Sequence, residues 1–292
     1  MTVTPQKQTP RVLSIAGSDS GGGAGVQADL KAFARCGVHG MSAITAITAQ
    51  NTVGVRAIHA VPPEIVLEQV RAVLQDIGVD AVKVGMLGTA EVTHAVARAL
   101  RELPPETPVV VDPVMVSESG ARLLDPAAQR ALIEEILPLS TVLTPNVAEA
   151  YTLAGTAIDT PLPANPGGEG ELTNDSAEEL ARAVLALGPR NVVLTGGHRA
   201  RTVDLFLDAG GVAVEIPGER HRDGAAHGSG CTHSSVLAAR LALGDTPLQA
   251  ARAARVLAGE AVAQGLRDIG AGAGPVDILG VERLRSGIIE GR

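Results

Sequence analysis

From residue 11 almost to its end, the chain alternates short runs rich in β-branched residues with helical patterns, and this rhythm narrows its fold more than any other feature. Strand-like runs fall at 11–16, 39–49, 55–61, 81–84, 109–111, 141–143 and 191–194. Helical patterns fall at 26–36, 64–76, 89–102, 126–137, 147–154 and 176–187. Residues 203–207 and 212–216 read as a hairpin, and two alanine-rich helices close the chain. Repeated βα units predict an α/β three-layer sandwich: a mostly parallel central sheet with helices on both faces. The Pro/Gly-rich stretch 159–170 reads as a surface loop, because the rhythm resumes after it. One domain is expected over 11–280, with a disordered N-terminal segment 1–10 and a C-terminal tail 281–292.

The core must be built from Ala, Val, Leu and Ile, because 45% of residues are hydrophobic but only 1% aromatic. A net charge of −8 without a basic run opposes a sequence-independent grip on nucleic acid. No run is long enough to span a bilayer, and the first ten residues lack the pattern of a secretory signal. Cys36 and Cys231 cannot make a disulfide framework, and Cys36 reads as a core residue at a helix end. A soluble cytoplasmic protein is expected.

In open parallel sheets ligands bind beyond the carboxyl ends of the strands, so polar residues just after strand-like runs carry the most weight. Four such places are Gly17 to Gly25, Gly85 to Gly88, Asp112-Pro113, and Thr144 to Glu149. The glycine loop matches G-x-G-x-x-A at Gly23 to Ala28, but no acidic residue lies between Asp29 and Glu64 to bind a ribose, and no Gly-Lys-Ser/Thr follows. The loop reads instead as backbone folding over a small substrate, with Asp19 or Asp29 offering a carboxylate. Asp112, Asn146 and Glu149 offer the oxygens that a hard cation such as Mg²⁺ prefers.

Further on, Gly228-Ser229-Gly230-Cys231 leads into an apolar helix. Free N–H groups in a first helical turn favour anions, and their field is expected to lower the Cys231 pKa, making it a base or a nucleophile. These elements together point to phosphoryl transfer, which needs a metal, amides over the phosphate and an acceptor for the proton. A zinc site from His227, Cys231 and His233 lacks the usual ligand pairs.

On Ala16 to Asp29, Thr48 to Thr52, Lys83 to Leu87, Val111 to Met115, Thr144-Pro145-Asn146 with Glu149, and His227 to Thr232, the chain resembles the hydroxymethylpyrimidine/phosphomethylpyrimidine kinases of thiamin synthesis, in the ribokinase-like group. The resemblance implies ATP- and Mg²⁺-dependent phosphorylation of 4-amino-5-hydroxymethyl-2-methylpyrimidine and then of its monophosphate, by a homodimer. It implies that Gln50 bonds the aminopyrimidine, that the Gly17 loop and Asp29 help form the pocket, and that Met86 and Val114 pack on the ring. Asn146 and Glu149 would order Mg²⁺ and phosphate with Asp112 near them, the metal held by Asp112 and Glu149 through water. Gly228, Ser229 and Gly230 would form an anion hole with Cys231 as base. Two positions depart from the family: Thr195 stands where a lysine is usual beside the nucleotide phosphates, and Ala226 where an asparagine is usual. Alternatives are a pyridoxal or pyridoxine kinase, and a pyrimidine-binding protein with little catalysis.

Overall fold

The computed structural model describes residues 8–117, 120–157, 173–196, 202–221, 225–281 and 283–285. Among the described residues there are nine strands: β1 (Arg11–Asp19), β2 (His39–Asn51), β3 (Gly54–Ala60), β4 (Ala81–Val84), β5 (Val109–Val111), β6 (Val142–Leu143), β7 (Asn191–Leu194), β8 (Val203–Asp208) and β9 (Ala213–Pro217). They form one sheet in the order β3-β2-β1-β4-β5-β6-β7-β8-β9. The strands from β2 through β7 in that order are parallel, and the edges β3, β8 and β9 pair antiparallel.

Alternation along the strands splits the core in two. Leu13, Ile15, Val82, Val84, Val109 and Val111 face one way. There they meet α2 (Pro63–Asp76), α3 (Ala90–Arg101), α4 (Pro126–Ala131), α5 (Val147–Ala157) and α6 (Asn174–Leu185). Val12, Ala81, Val110, Val142 and Val193 face the other way, onto α1 (Gly25–Arg35), α7 (Ser229–Ala242) and α8 (Pro247–Ala263). Burying each large apolar side chain contributes about 1.5–3 kcal/mol, so a one-residue slip that inverted these faces would be strongly opposed. Lys83, between Val82 and Val84, is the charged exception, and it is fully buried.

Three details differ from the sequence expectation. Strand β1 runs on to Asp19 rather than stopping at Ala16, because Ser18 and Asp19 pair with Ile47 and Thr48 after a register shift at Gly17. The helix expected over 126–137 is regular only to Ala131, then widens into a π turn at Leu132–Ile136 and tightens into a 3₁₀ turn at Leu137–Leu139. Pro138 has no N–H to continue the α ladder. In the expected C-terminal tail, residues 281 and 283–285 are helical. Residues 1–7 of the expected disordered segment, the loop 159–170 and residues 286–292 lie outside the described residues.

Strand β1 has β2 on one side and β4 on the other, so the order of the chain reverses beside it. A crevice opens beyond the carboxyl ends at such a reversal.

Candidate active site

A cleft of about 800 Å³ occupies that crevice. Gly17 and Asp19 reach it from β1, Gln50 from β2, and Met86 from the segment after β4. Asp112 follows β5, Asn146 follows β6 and opens α5 with Glu149, and Thr195 follows β7. Gly228, Ser229, Gly230 and Cys231 close it at the start of α7. Thus the residues singled out in sequence converge on one space, with one exception. Asp29, expected to help form the pocket, does not line it. It lies on the buried face of α1 with Ala32 and Phe33, where its carboxylate accepts from Ser14 Oγ at 2.6 Å, Ser235 Oγ at 2.7 Å and Lys83 Nζ at 3.0 Å.

Two glycine segments interlock to shape the cleft. The Asp19 carboxylate accepts from the backbone N–H groups of Gly21, Gly23 and Ala24 at 2.8, 3.0 and 2.9 Å, and His227 Nε2 lies 3.1 Å from it. Burial raises the Asp19 pKa, but His227 and these N–H groups outweigh it and leave the pKa low. Gly228 caps α7 in the left-handed region, φ +83°. A Cβ there would lie 1.8 Å from the Gly23 carbonyl oxygen. No side chain caps α7, so its first turn can receive an anion. Ser229, however, donates its N–H to Ala226 O at 3.0 Å, because the left-handed residue closes a turn there. The amides of Gly230 and Cys231 are therefore the ones left for an anion.

The Cys231 thiol does not follow the expectation of a lowered pKa. Although the residue is only half-buried, desolvation pushes its thiol up to about 12, and the charges of Asp112 and Asp29 add to the rise. Lys83 opposes it without winning. The field of a helix end is a local effect, and here the loss of water around the thiol is larger.

Asn146 and Glu149 form a reciprocal cap at the start of α5: Asn146 N–H donates to Glu149 Oε2 at 2.9 Å, and Glu149 N–H to Asn146 Oδ1 at 2.9 Å. Both still line the cleft. Burial, with the neighbouring Asp112 charge, lifts the Glu149 pKa to about 8, and burial raises Asp112 as well. Two desolvated carboxyls held above their ordinary range form a site short of positive charge, which suits a divalent cation that keeps most of its waters. Among the described residues no group of three His, Cys, Asp or Glu side chains could hold a metal by itself. The zinc alternative dissolves for the same reason, since His227 goes to Asp19 and His233 to Asp204, 3.3 Å away.

A carboxyl with a raised pKa binds its proton more tightly in the folded chain. Its stabilising contribution is full below its ordinary value of 4.5 and is lost as pH rises through about 8. Glu149→Gln keeps the acceptor for the cap but cannot ionise. In thermal melts without nucleotide or metal it should match the parent near about pH 5 and melt higher near about pH 9. Equal melting temperatures at both pH values would show that Glu149 is not held protonated.

Sequence reasoning gave no role to Lys83, nor to the Asp204, His233 and Arg255 set at the far end of the cleft. For Lys83 the signal was present, since a lysine inside Ala81-Val82-Lys83-Val84 occupies a position that a buried parallel strand fills with apolar residues. Met86, Leu123 and Val114, packed in one apolar cluster with Ala46, form another wall.

A parallel sheet with a strand-end cleft, paired oxygen donors and open amides at a helix start suits the chemistry of a phosphotransferase. The profile of the family described as phosphomethylpyrimidine kinase matches residues 19–277. The chain belongs to that family. It is 46% identical over 271 residues to the hydroxymethylpyrimidine/phosphomethylpyrimidine kinase of Rhizobium meliloti, covering 92% of this chain and 96% of the relative. The crystal structure of a phosphomethylpyrimidine kinase from Clostridium difficile superposes with a TM-score of 0.73 at 36% identity, covering 87% of this chain and 100% of that one. A Bacillus subtilis pyridoxal kinase in complex with ADP superposes with a TM-score of 0.80 at 33% identity, covering 94% and 100%.

Proposed function

We propose that this chain uses ATP to phosphorylate the hydroxymethyl group of 4-amino-5-hydroxymethyl-2-methylpyrimidine, and then the resulting monophosphate, in thiamin biosynthesis. The observation that carries this reading is the convergence of Gly230, Cys231, Asp112, Asn146 and Glu149 on one cleft with Gln50 and the apolar wall. In the first transfer the bond from the γ-phosphorus to the β–γ bridging oxygen of ATP breaks. A bond to the substrate's hydroxymethyl oxygen forms, ADP leaves, and the hydroxyl proton departs.

Gln50 presents an amide to the heterocycle, whose ring nitrogens accept and whose amino group donates. Thr48 Oγ1 lies 3.2 Å from the Gln50 amide oxygen, while its own hydroxyl hydrogen has a nearer acceptor in the Ser18 carbonyl at 2.8 Å. Met86 and Val114 pack on the ring. The Gly230 and Cys231 amides hold the transferring phosphoryl, and Cys231 takes the hydroxyl proton. Asp112 and Glu149 would hold Mg²⁺, with Asn146 beside them and Thr195 near the nucleotide phosphates. Bound there, Mg²⁺ would neutralise charge on those phosphates. The reading includes a cytoplasmic homodimer, supported by the exposed apolar side chains Ile47 and Ile58 on the β2–β3 edge, and sedimentation would test the dimer. It treats residues 11–280 as one domain.

ADP release coupled to a dye, with the pyrimidine alcohol and its monophosphate as acceptors, tests the activity. Turnover on neither compound would sink it. The 0.80 superposition on a pyridoxal kinase favours one second reading, a side activity on pyridoxal. Competition of the two acceptors in one assay separates them. If the missing ammonium at position 195 limits the rate, Thr195→Lys should raise kcat and lower the KM for ATP. An unchanged or lower kcat would show that it does not.

A further inference from the structure

Beneath the reacting end of the cleft lies a buried polar network that the roles above leave unused. Lys83 and Asp29 are both fully buried, and Lys83 Nζ lies 3.0 and 3.1 Å from the two oxygens of Asp29. Asp29 is anchored further by Ser14 and by Ser235 of α7. The adjacent Ser234 donates to Asp112 Oδ2 at 2.9 Å, and Asp112 Oδ2 is 3.9 Å from Lys83 Nζ, beyond hydrogen-bond reach. Consecutive serines on α7 therefore tie Asp29 and Asp112 to the turn that carries Cys231. Unlike Asp29, Lys83 lines the cleft itself.

We infer that Lys83 is a positioning residue for phosphoryl transfer: Asp29 holds its ammonium as a fixed positive charge under Cys231 and Asp112, where it offsets negative charge gathering at the acceptor end. A buried cation would ordinarily lose its proton. Burial pushes the Lys83 pKa down, but on balance the pKa is raised, chiefly by the charge of the Asp29 carboxylate that it hydrogen-bonds, so the ammonium persists. Asp29 has two hydroxyl donors besides Lys83 and is withdrawn from the cleft, which suits an anchor. Lys83 exchanges no proton in this role, so the inference stands whichever group receives the hydroxyl proton.

The competing view is that Lys83 and Asp29 are simply a structural ion pair. Breaking a buried pair from one side is destabilising, whereas replacing both partners by neutral groups is often nearly neutral. The double variant Asp29→Asn/Lys83→Met should therefore regain most of the thermal stability that Lys83→Met loses. Its kcat should nonetheless stay about 10²–10³-fold below the parent, the usual cost of removing one preorganised charge stabiliser, with each KM within a few-fold. Recovery of kcat together with melting temperature in the double variant would overturn the inference. Lys83→Met and the double variant should therefore lose the same factor in kcat although they differ in melting temperature. A kcat that tracked melting temperature across Lys83→Met, Asp29→Asn and the double variant, measured per folded molecule by nucleotide titration, would assign the pair a structural role only.

Discussion

Replacing Cys231 by alanine is expected to lower kcat by about 10²–10⁴-fold, the range in which a positioned general base contributes. The cost in stability should be small, because the residue is half-buried and its side chain ends in the cleft. The thiol's pKa, pushed up to about 12, gives the experiment a second readout. The protonated thiol cannot accept a proton, and below its pKa the thiolate fraction rises tenfold per pH unit. Because kcat/KM reports ionisations of the free enzyme, its value for the parent should still be climbing at about pH 9. Cys231→Asp, whose carboxyl ionises at lower pH than the thiol even when burial raises it, should retain part of the activity and level off at a lower pH than the parent. Parent-like rates in the alanine variant, or an unchanged pH slope in it, would remove Cys231 as the base.

The site was largely legible in the sequence because parallel strands write it that way. A run such as Val109-Val110-Val111 is apolar while it crosses the core, and the first residue beyond it, Asp112, meets the ligand face. The same grammar exposed Asn146 after β6, whereas Thr195 after β7 stands out only against the family pattern. Position along the chain says less about direction. Asp29 follows the glycine loop closely, yet it shares a helical face with Ala32 and Phe33, three and four residues on, and that face is buried. A carboxylate on an apolar helix face and a lysine in an apolar strand were complementary irregularities. Read together, they announce a buried ion pair.

Other features depended on three-dimensional surroundings. The helix-start field at Cys231 can be read locally, but the burial that raises its pKa, and the charges of Asp112 and Asp29 that add to the rise, depend on residues distant in sequence. Asn146 and Glu149 at i, i+3 spacing could mean a cap or a cation site. The structure gives them the cap, while the raised Glu149 pKa preserves the case for a cation beside it.

Gly228→Ala should be the most damaging small substitution in the cleft. Forcing a Cβ into the left-handed region costs about 1–2 kcal/mol. Here it would also stand 1.8 Å from the Gly23 carbonyl oxygen, so one of two backbone segments must move, and overpacking of that kind adds about 1–3 kcal/mol. The displaced segments carry the Gly230 and Cys231 amides on one side and the loop fixed by Asp19 on the other. A shift of about 1 Å in such groups can cost about 10²-fold in rate, so kcat should fall by at least that factor in the molecules that fold. Gly244→Ala separates strain from collision: Gly244 has φ +97°, but a Cβ there would meet nothing within 4 Å. It should lose stability by about 1–2 kcal/mol and keep the parent's kcat. If Gly228→Ala proved no worse than Gly244→Ala in melting temperature and rate, the close contact between the two loops would not be what holds the anion-binding turn in place.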